Sequence, residues 1–211
     1  ARLPGEGIRV FAVPAGTAGL SREWLPTMDQ TRKLSKLSLD GVQLGSDALL
    51  GLDQDAAEAL QKTLDIATIA LAAEQSGVAQ QVLEMAVAYT KERHQFGRAI
   101  ASFQAIKHKA ADMMLKAEAS RSAAYYAACV ADEALRGGAA GAELAQAASL
   151  AKASCSETAF FNAGSAIQMY GGVGFTWEYD VHLYFKRARA SEAFLGAPAW
   201  HRERIAQELG L

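Results

Sequence analysis

Apolar residues change their spacing along the chain near Gly51. Before that point, Ile8–Pro14 (IRVFAVP) and Leu37–Leu44 (LSLDGVQL) partly alternate and are set apart by Gly, Pro and Ser, which predicts short strands. Two or three short strands cannot bury their own faces. The opening Ala1–Gly7 reads as the middle of a hairpin, so residues 1–52 are expected to be the end of a β-domain whose beginning lies elsewhere. From Asp53 onward the pattern turns helical. Leu60, Leu64, Ala67, Leu71, Val78, Val82, Met85 and Tyr89 recur mostly at steps of three and four, predicting a first long helix over Asp55–His94. A second is expected over Phe103–Arg136, stopped by Gly137–Gly138, and a third over Ala142–Tyr170, stopped by Gly171–Gly172. A shorter helix from Glu178 and a last one over Pro198–Glu208 follow, with Pro198 suited to a first turn. The predicted fold is mainly α: an antiparallel four-helix-type bundle over 53–211, preceded by the β fragment.

Composition narrows the function classes. The 211 residues are 51% hydrophobic and 21% charged, with a net charge of −2. That balance offers no electrostatic reason to bind nucleic acid or an anionic membrane. No apolar run reads as a membrane span. Cys129 and Cys155 lie in Ala-rich helical segments and are expected to be buried thiols, which fits a reducing cytoplasm.

Two stretches concentrate chemistry: ERHQFGRAIASFQ (Glu92–Gln104) and QMYGGVGFTWEYDVHLYFKRARA (Gln168–Ala190). Each puts glycine, aromatics and fixed positive charge at the end of a long helix. Arg93 reads either as a cation on the negative end of a helix dipole or as a partner for phosphate. The second cluster, with Gln168, Gly171, Gly172 and Gly174 beside Tyr170, Phe175 and Trp177, favours two helix ends bracketing a nucleotide. No strand–glycine–helix dinucleotide fingerprint is present. Glu74 falls on the inward stripe of the first helix, as an ion-paired carboxylate or as a base of raised pKa. His108 and His182 show no metal spacing, so no metal site is expected, and Glu178 with His182 reads as a surface pair.

With AYTKERHQFGRAIASFQAIKHKAADM (Ala88–Met113) and AIQMYGGVGFTWEYDVHLYFKRARA (Ala166–Ala190), the sequence resembles the acyl-CoA dehydrogenase family of flavoenzymes. The resemblance covers essentially the whole chain, residues 1–52 matching the end of the family's middle β-domain. It implies FAD near a subunit interface, an acyl-CoA substrate, a dimer or tetramer built through the bundle, and an electron-transfer flavoprotein as acceptor. By position, it assigns Arg93, Gln95 and Phe96 to a segment reaching a neighbouring subunit's FAD. Phe103 and Gln104 fall in the next cofactor-facing turn, and Gln168, Gly171 and Gly172 in the backbone at the adenine or pyrophosphate end. The family reaction removes an α proton to a glutamate while hydride leaves the β carbon for the flavin. The chain departs from the family there. The two usual positions of that glutamate fall at Leu195 and Ala67, and Thr68 replaces a common arginine. Glu74 and Glu192 are the nearby substitutes. The resemblance also implies mixed assemblies in which a partner subunit supplies the base, and the alternative to catalysis is a structural or regulatory bundle.

Overall fold

The computed structural model describes residues 1–3, 7–51 and 56–211. The expected domain boundary at 52/53 and the expected helix start at Asp55 lie outside the described residues. The chain forms two compact units, Ala1–Leu64 and Asp65–Leu211.

The first unit is built from antiparallel pairs. Strand β1 (Arg2–Leu3) pairs with β2 (Gly7–Ile8), and β3 (Val10–Phe11) with the distant β6 (Leu49–Leu50). The longest pair joins β4 (Leu20–Leu25) to β5 (Leu34–Leu39), in register Leu20 to Leu39 and Leu25 to Leu34. Two expectations change here. The strand expected over Leu37–Leu44 starts earlier, where Leu34 pairs with Leu25, and ends earlier, because Gly41 takes a positive φ of 62° and turns the chain. The segment Ile8–Pro14 is two short ladders rather than one strand, and β4 had no counterpart in the pattern. Trp24, Leu37 and Leu39 on the β4–β5 pair are exposed.

The second unit is the helical bundle. Helix α1 (Ala57–Glu92) is rich in Ala, Leu, Gln and Glu, all good helix formers, and its residues from Asp65 onward belong to this unit. It stops two residues short of the expected His94, because His94–Gln95 (β7) leaves the helix to pair with Arg98–Ala99 (β8). Helix α2 (Gln104–Leu135) ends in a double cap: the Gly138 N–H donates to Glu133 O at 2.9 Å and the Gly137 N–H to Ala134 O at 3.4 Å. Gly137, at φ 78°, supplies the left-handed residue that this cap needs.

Helix α3 (Leu144–Tyr170) is central, packing against α2, α4 (Val181–Ala193) and α5 (Pro198–Glu208). It buries Ala147, Ala148, Ala151, Ala159, Ala163 and Ala166. These small side chains let neighbouring helices approach closely. Asn162, fully buried, donates from Nδ2 to the carbonyls of Ala79 and Met113, at 3.1 Å each, and so ties α3 to both long partners. Helix α4 begins at Val181 rather than Glu178, after a 3-10 turn over Gly171–Phe175. Pro198 opens α5 as expected.

Three burial expectations are corrected. Ala67 is exposed within the chain and not part of the inward stripe; Thr68 and Ile69 are the buried residues there. Cys129 is exposed, whereas Cys155 is buried and its thiol is pushed up to about 12 by desolvation. His182 is buried with its ring edge-on to Trp177 and is not half of a surface pair.

A bidentate ion pair fixes α5 to α1. Arg204 Nη1 and Nη2 donate to Asp65 Oδ1 and Oδ2 at 2.5 and 2.9 Å. Both side chains are largely buried. Asp65→Ala is expected to cost about 3–5 kcal/mol, because it strands a buried guanidinium. Urea unfolding monitored by far-UV circular dichroism checks this. A loss within about 0.5 kcal/mol, the range of ordinary surface changes, would contradict it.

Candidate functional site

The two chemistry-bearing stretches meet at one end of the bundle. Tyr89, in the last turn of α1, stacks on Tyr170, the last residue of α3, with ring centroids 4.1 Å apart and planes 11° apart. Tyr179 packs edge-on against both rings. The Tyr170 hydroxyl donates to Met85 O at 3.2 Å and the Tyr89 hydroxyl to Tyr170 O at 3.5 Å. Burial raises the Tyr170 phenol above its ordinary value, so the ring stays a neutral donor. The tyrosines therefore join the ends that carry Arg93 and Gln168.

Beyond α1 the chain makes a tight hairpin. Arg93 N–H still bonds Tyr89 O at 2.9 Å, and Ile100 N–H bonds Arg93 O at 2.8 Å. The two-residue loop Phe96–Gly97 has φ of 54° and 76°. Two consecutive positive φ values define the tight turn that suits a twisted hairpin, usually made with Asn-Gly. Phenylalanine in the first position is a strained choice. Its side chain is 90% exposed, touching Phe103 edge-on at 6.1 Å. Arg98 lies over the Phe103 ring, 4.0 Å from its centre. Arg93, Gln95 and Gln104 are exposed around this hairpin.

At the end of α3, Gln168, Gly171 and Gly172 are also exposed. Gly171 takes φ 67° and ψ −143°, a region open in practice only to glycine. A Cβ there would meet nothing within 4 Å, so the requirement is for backbone shape and not for space. Phe175 and Trp177 beside it are 74% and 71% exposed. The end of the bundle thus presents unpacked aromatics, amides, a guanidinium and a glycine-shaped backbone. That set suits a flat, phosphate-bearing group: rings to stack, Arg93 to offset charge, and amides to bond heteroatoms.

The two positions that the resemblance assigns to the base lie elsewhere in the bundle. Leu195 follows α4 in a turn and is a non-glycine residue at φ 57°, a conformation that costs roughly 1–2 kcal/mol. Two buried donors reach that turn. Lys152 Nζ, from α3, donates to Glu192 O at 3.0 Å, Gly196 O at 2.9 Å and Ser156 Oγ at 3.0 Å. His201 Nε2, from α5, is 3.0 Å from Leu195 O, and its Nδ1 is 3.2 Å from Ser149 Oγ. A carbonyl only accepts, so the ring carries its proton on Nε2 and Nδ1 accepts from the serine. Ser156 donates onward to Gln75 Oε1, whose amide donates to Ser191 Oγ. Burial pushes the Lys152 ammonium down to about 8, with Glu192 offsetting part of the effect. None of these residues stood out in the sequence; the one available signal was a lysine inside the Ala-rich stretch SLAKASCSE.

Both substitute carboxylates have arginine partners. Glu74 is bonded by Arg187 at 2.9 Å and Glu192 by Arg189 at 2.5 Å. Pairing is the first of the two readings of Glu74.

Burial also lowers the imidazole of His201. The unfolded chain binds a proton there near pH 6.5, while the folded ring remains neutral. Stability from this group is therefore fully present above pH 6.5 and declines as pH falls toward the folded value. Unfolding free energy at pH 7 and pH 5.5 is expected to fall more in the wild type than in His201→Gln, by up to about 1.4 kcal/mol per pH unit. Equal slopes would contradict the neutral assignment.

Comparison with known proteins shows the family. The family described as "Acyl-CoA dehydrogenase, C-terminal domain" matches residues 57–210. Acyl-CoA dehydrogenase IpdE2 of Mycolicibacterium smegmatis is 37% identical over 184 residues, 87% of this chain and 51% of that protein. An acyl-CoA dehydrogenase of Bacillus subtilis is 34% identical over 197 residues, 90% of this chain and 49% of its own. The chain thus spans about half the length of the curated relatives it matches. Among solved structures, butyryl-CoA dehydrogenase from Megasphaera elsdenii superposes with a TM-score of 0.87 at 29% identity, covering 98% of this chain and 52% of its own. The steroid ACAD Tcur3481-Tcur3483 gives 0.82 at 33%, covering 95% and 51%. No helix among the described residues is long and apolar enough to cross a membrane.

Proposed function

The chain belongs to the acyl-CoA dehydrogenase family, whose members are FAD-dependent flavoproteins, and from that premise we propose that it serves an acyl-CoA dehydrogenase as the part that holds FAD at a subunit interface. The observation that carries this reading is the tyrosine stack joining the two glycine-marked helix ends. Arg93 offsets pyrophosphate charge, Gln95 and Gln168 bond heteroatoms, and Phe96 projects outward to enter a neighbouring subunit. Phe103 and Gln104 complete that edge, and Gly171 and Gly172 give the backbone its close approach. The flavin, when bound, supplies a hydride acceptor for the β carbon of an acyl-CoA thioester. Electrons then pass to an electron-transfer flavoprotein.

At the two positions where the family places its base, Leu195 and Ala67 accept no proton. We infer that the chain works in a mixed assembly, its partner subunit supplying the carboxylate. The paired designation of the steroid enzyme Tcur3481-Tcur3483 supports that arrangement. The assembly is a dimer or tetramer formed through the bundle, consistent with exposed Phe96, Met114, Leu115, Phe175 and Trp177. The two free thiols, Cys129 and Cys155, support a reducing cytoplasm.

The test is to purify the full-length protein with and without its genomic neighbour and add acyl-CoA anaerobically. Flavin bleaching only in the co-purified sample supports the mixed assembly. Bleaching by the lone protein returns Glu74 and Glu192 as bases, to be separated by Glu74→Gln and Glu192→Gln. A colourless protein that still assembles supports a structural or regulatory bundle instead.

A further inference from the structure

The turn after α4 is held more firmly than a surface connection requires. Its carbonyls at Glu192, Leu195 and Gly196 are bound from inside the bundle, two by Lys152 and one by His201. Glu192 O belongs to the last turn of α4, where carbonyls have no partner within their own helix and the dipole is negative. A cation from another helix answers both needs. Lys152 and His201 are both buried, so each donor reaches the turn out of water. Opposite them, Gly196 at φ 103° leaves no room for a side chain: a Cβ would lie 2.8 Å from Trp200 and 2.9 Å from His201. The result is a left-handed leucine fixed between two anchored carbonyls, an arrangement that persists only when its surroundings over-determine it.

We infer that Lys152 and His201 are positioning residues whose joint hold on these three carbonyls sets the left-handed turn at Leu195. The turn that would carry a base is thus kept in built form in a chain with no base on it. Resting on the proposed function, Leu195 becomes a fixed wall of the acyl site. The hold comes from backbone carbonyls, so it does not depend on which side chain stands at 195. Lys152 uses all three ammonium protons, and its Ser156 contact continues through Gln75 to Ser191. The clamp therefore links α1, α3, α4 and α5 around one turn.

Hydrogen–deuterium exchange of the full-length protein, without cofactor or substrate, tests this directly. In Lys152→Met and in His201→Phe, amides of 194–197 are expected to exchange at least about tenfold faster, the effect of one lost hydrogen bond to a strong donor. His201→Gln retains an N–H able to reach Leu195 O and is expected to stay close to wild type. Protection of α1, α2 and α3 is expected to be unchanged in all three. Unchanged exchange at 194–197, equal behaviour of the Phe and Gln variants, or acceleration spread over the whole bundle would each overturn the inference. If Lys152→Met fails to fold, the His201 pair decides alone. Exchange is measured without flavin, so failure of the clamp leaves the FAD proposal standing, and loss of FAD binding leaves the exchange pattern unaffected.

Discussion

Leu195→Glu is expected to let the full-length protein reduce its own flavin with an acyl-CoA, where the wild type alone does not. The left-handed turn is bonded through the backbone by Lys152 and His201, so a glutamate at 195 inherits the geometry without new anchoring. Leucine already occupies φ 57° there, and another unbranched-Cβ side chain bears comparable strain. A positioned general base is worth about 10²–10⁴ in rate, which sets the expected gain in the anaerobic half-reaction. Leu195→Gln controls for shape and is expected to remain inactive. Equal rates for wild type and Leu195→Glu in stopped-flow bleaching would mean that the base is already present or that residue 195 does not face the substrate.

Arg93→Ala is expected to strip FAD from the protein without disturbing the bundle. Arg93 is exposed, and its backbone bonds to Tyr89 and Ile100 do not use the side chain. Helix content and melting temperature are therefore expected to be unchanged. A charge-assisted bond to phosphate contributes about 1.5–3 kcal/mol, so binding of FAD is expected to weaken by about ten- to a hundredfold. Fluorescence titration of the deflavinated protein measures it. Arg93→Lys is expected to recover only part of the loss, because an ammonium lacks the two-pronged geometry. Wild-type affinity in Arg93→Ala would remove the guanidinium from the cofactor site.

The long helices were legible because steps of three and four persist over many turns in α1, α2 and α3, and because Gly137 and Gly171 mark real stops. The short ladders were not. Two-residue pairs such as β7–β8 are too brief for alternation, and Phe-Gly is an unusual tight turn, so the sequence pattern does not mark the hairpin after the helix end. Spacing alone does not orient Ala67, because small alanines fit either face of an Ala-rich helix. The clamp on Leu195 leaves no mark in the sequence for a different reason. Lys152 and Gly196 are 44 positions apart, and a buried lysine has no periodic signature. Glu74 shows the opposite case: its place on a mostly apolar stripe announced a needed partner, which the fold supplies in Arg187, 113 positions away.

The central claim is that the ends of α1 and α3, joined by Tyr89 and Tyr170, hold one flavin. The most direct measurement is the FAD stoichiometry of the purified full-length protein and of its Arg93→Ala/Gln168→Ala double variant, both checked for intact helix content. A yellow wild type and a folded, colourless double variant are the expected pair. A folded double variant that keeps the wild-type complement of FAD would contradict the account.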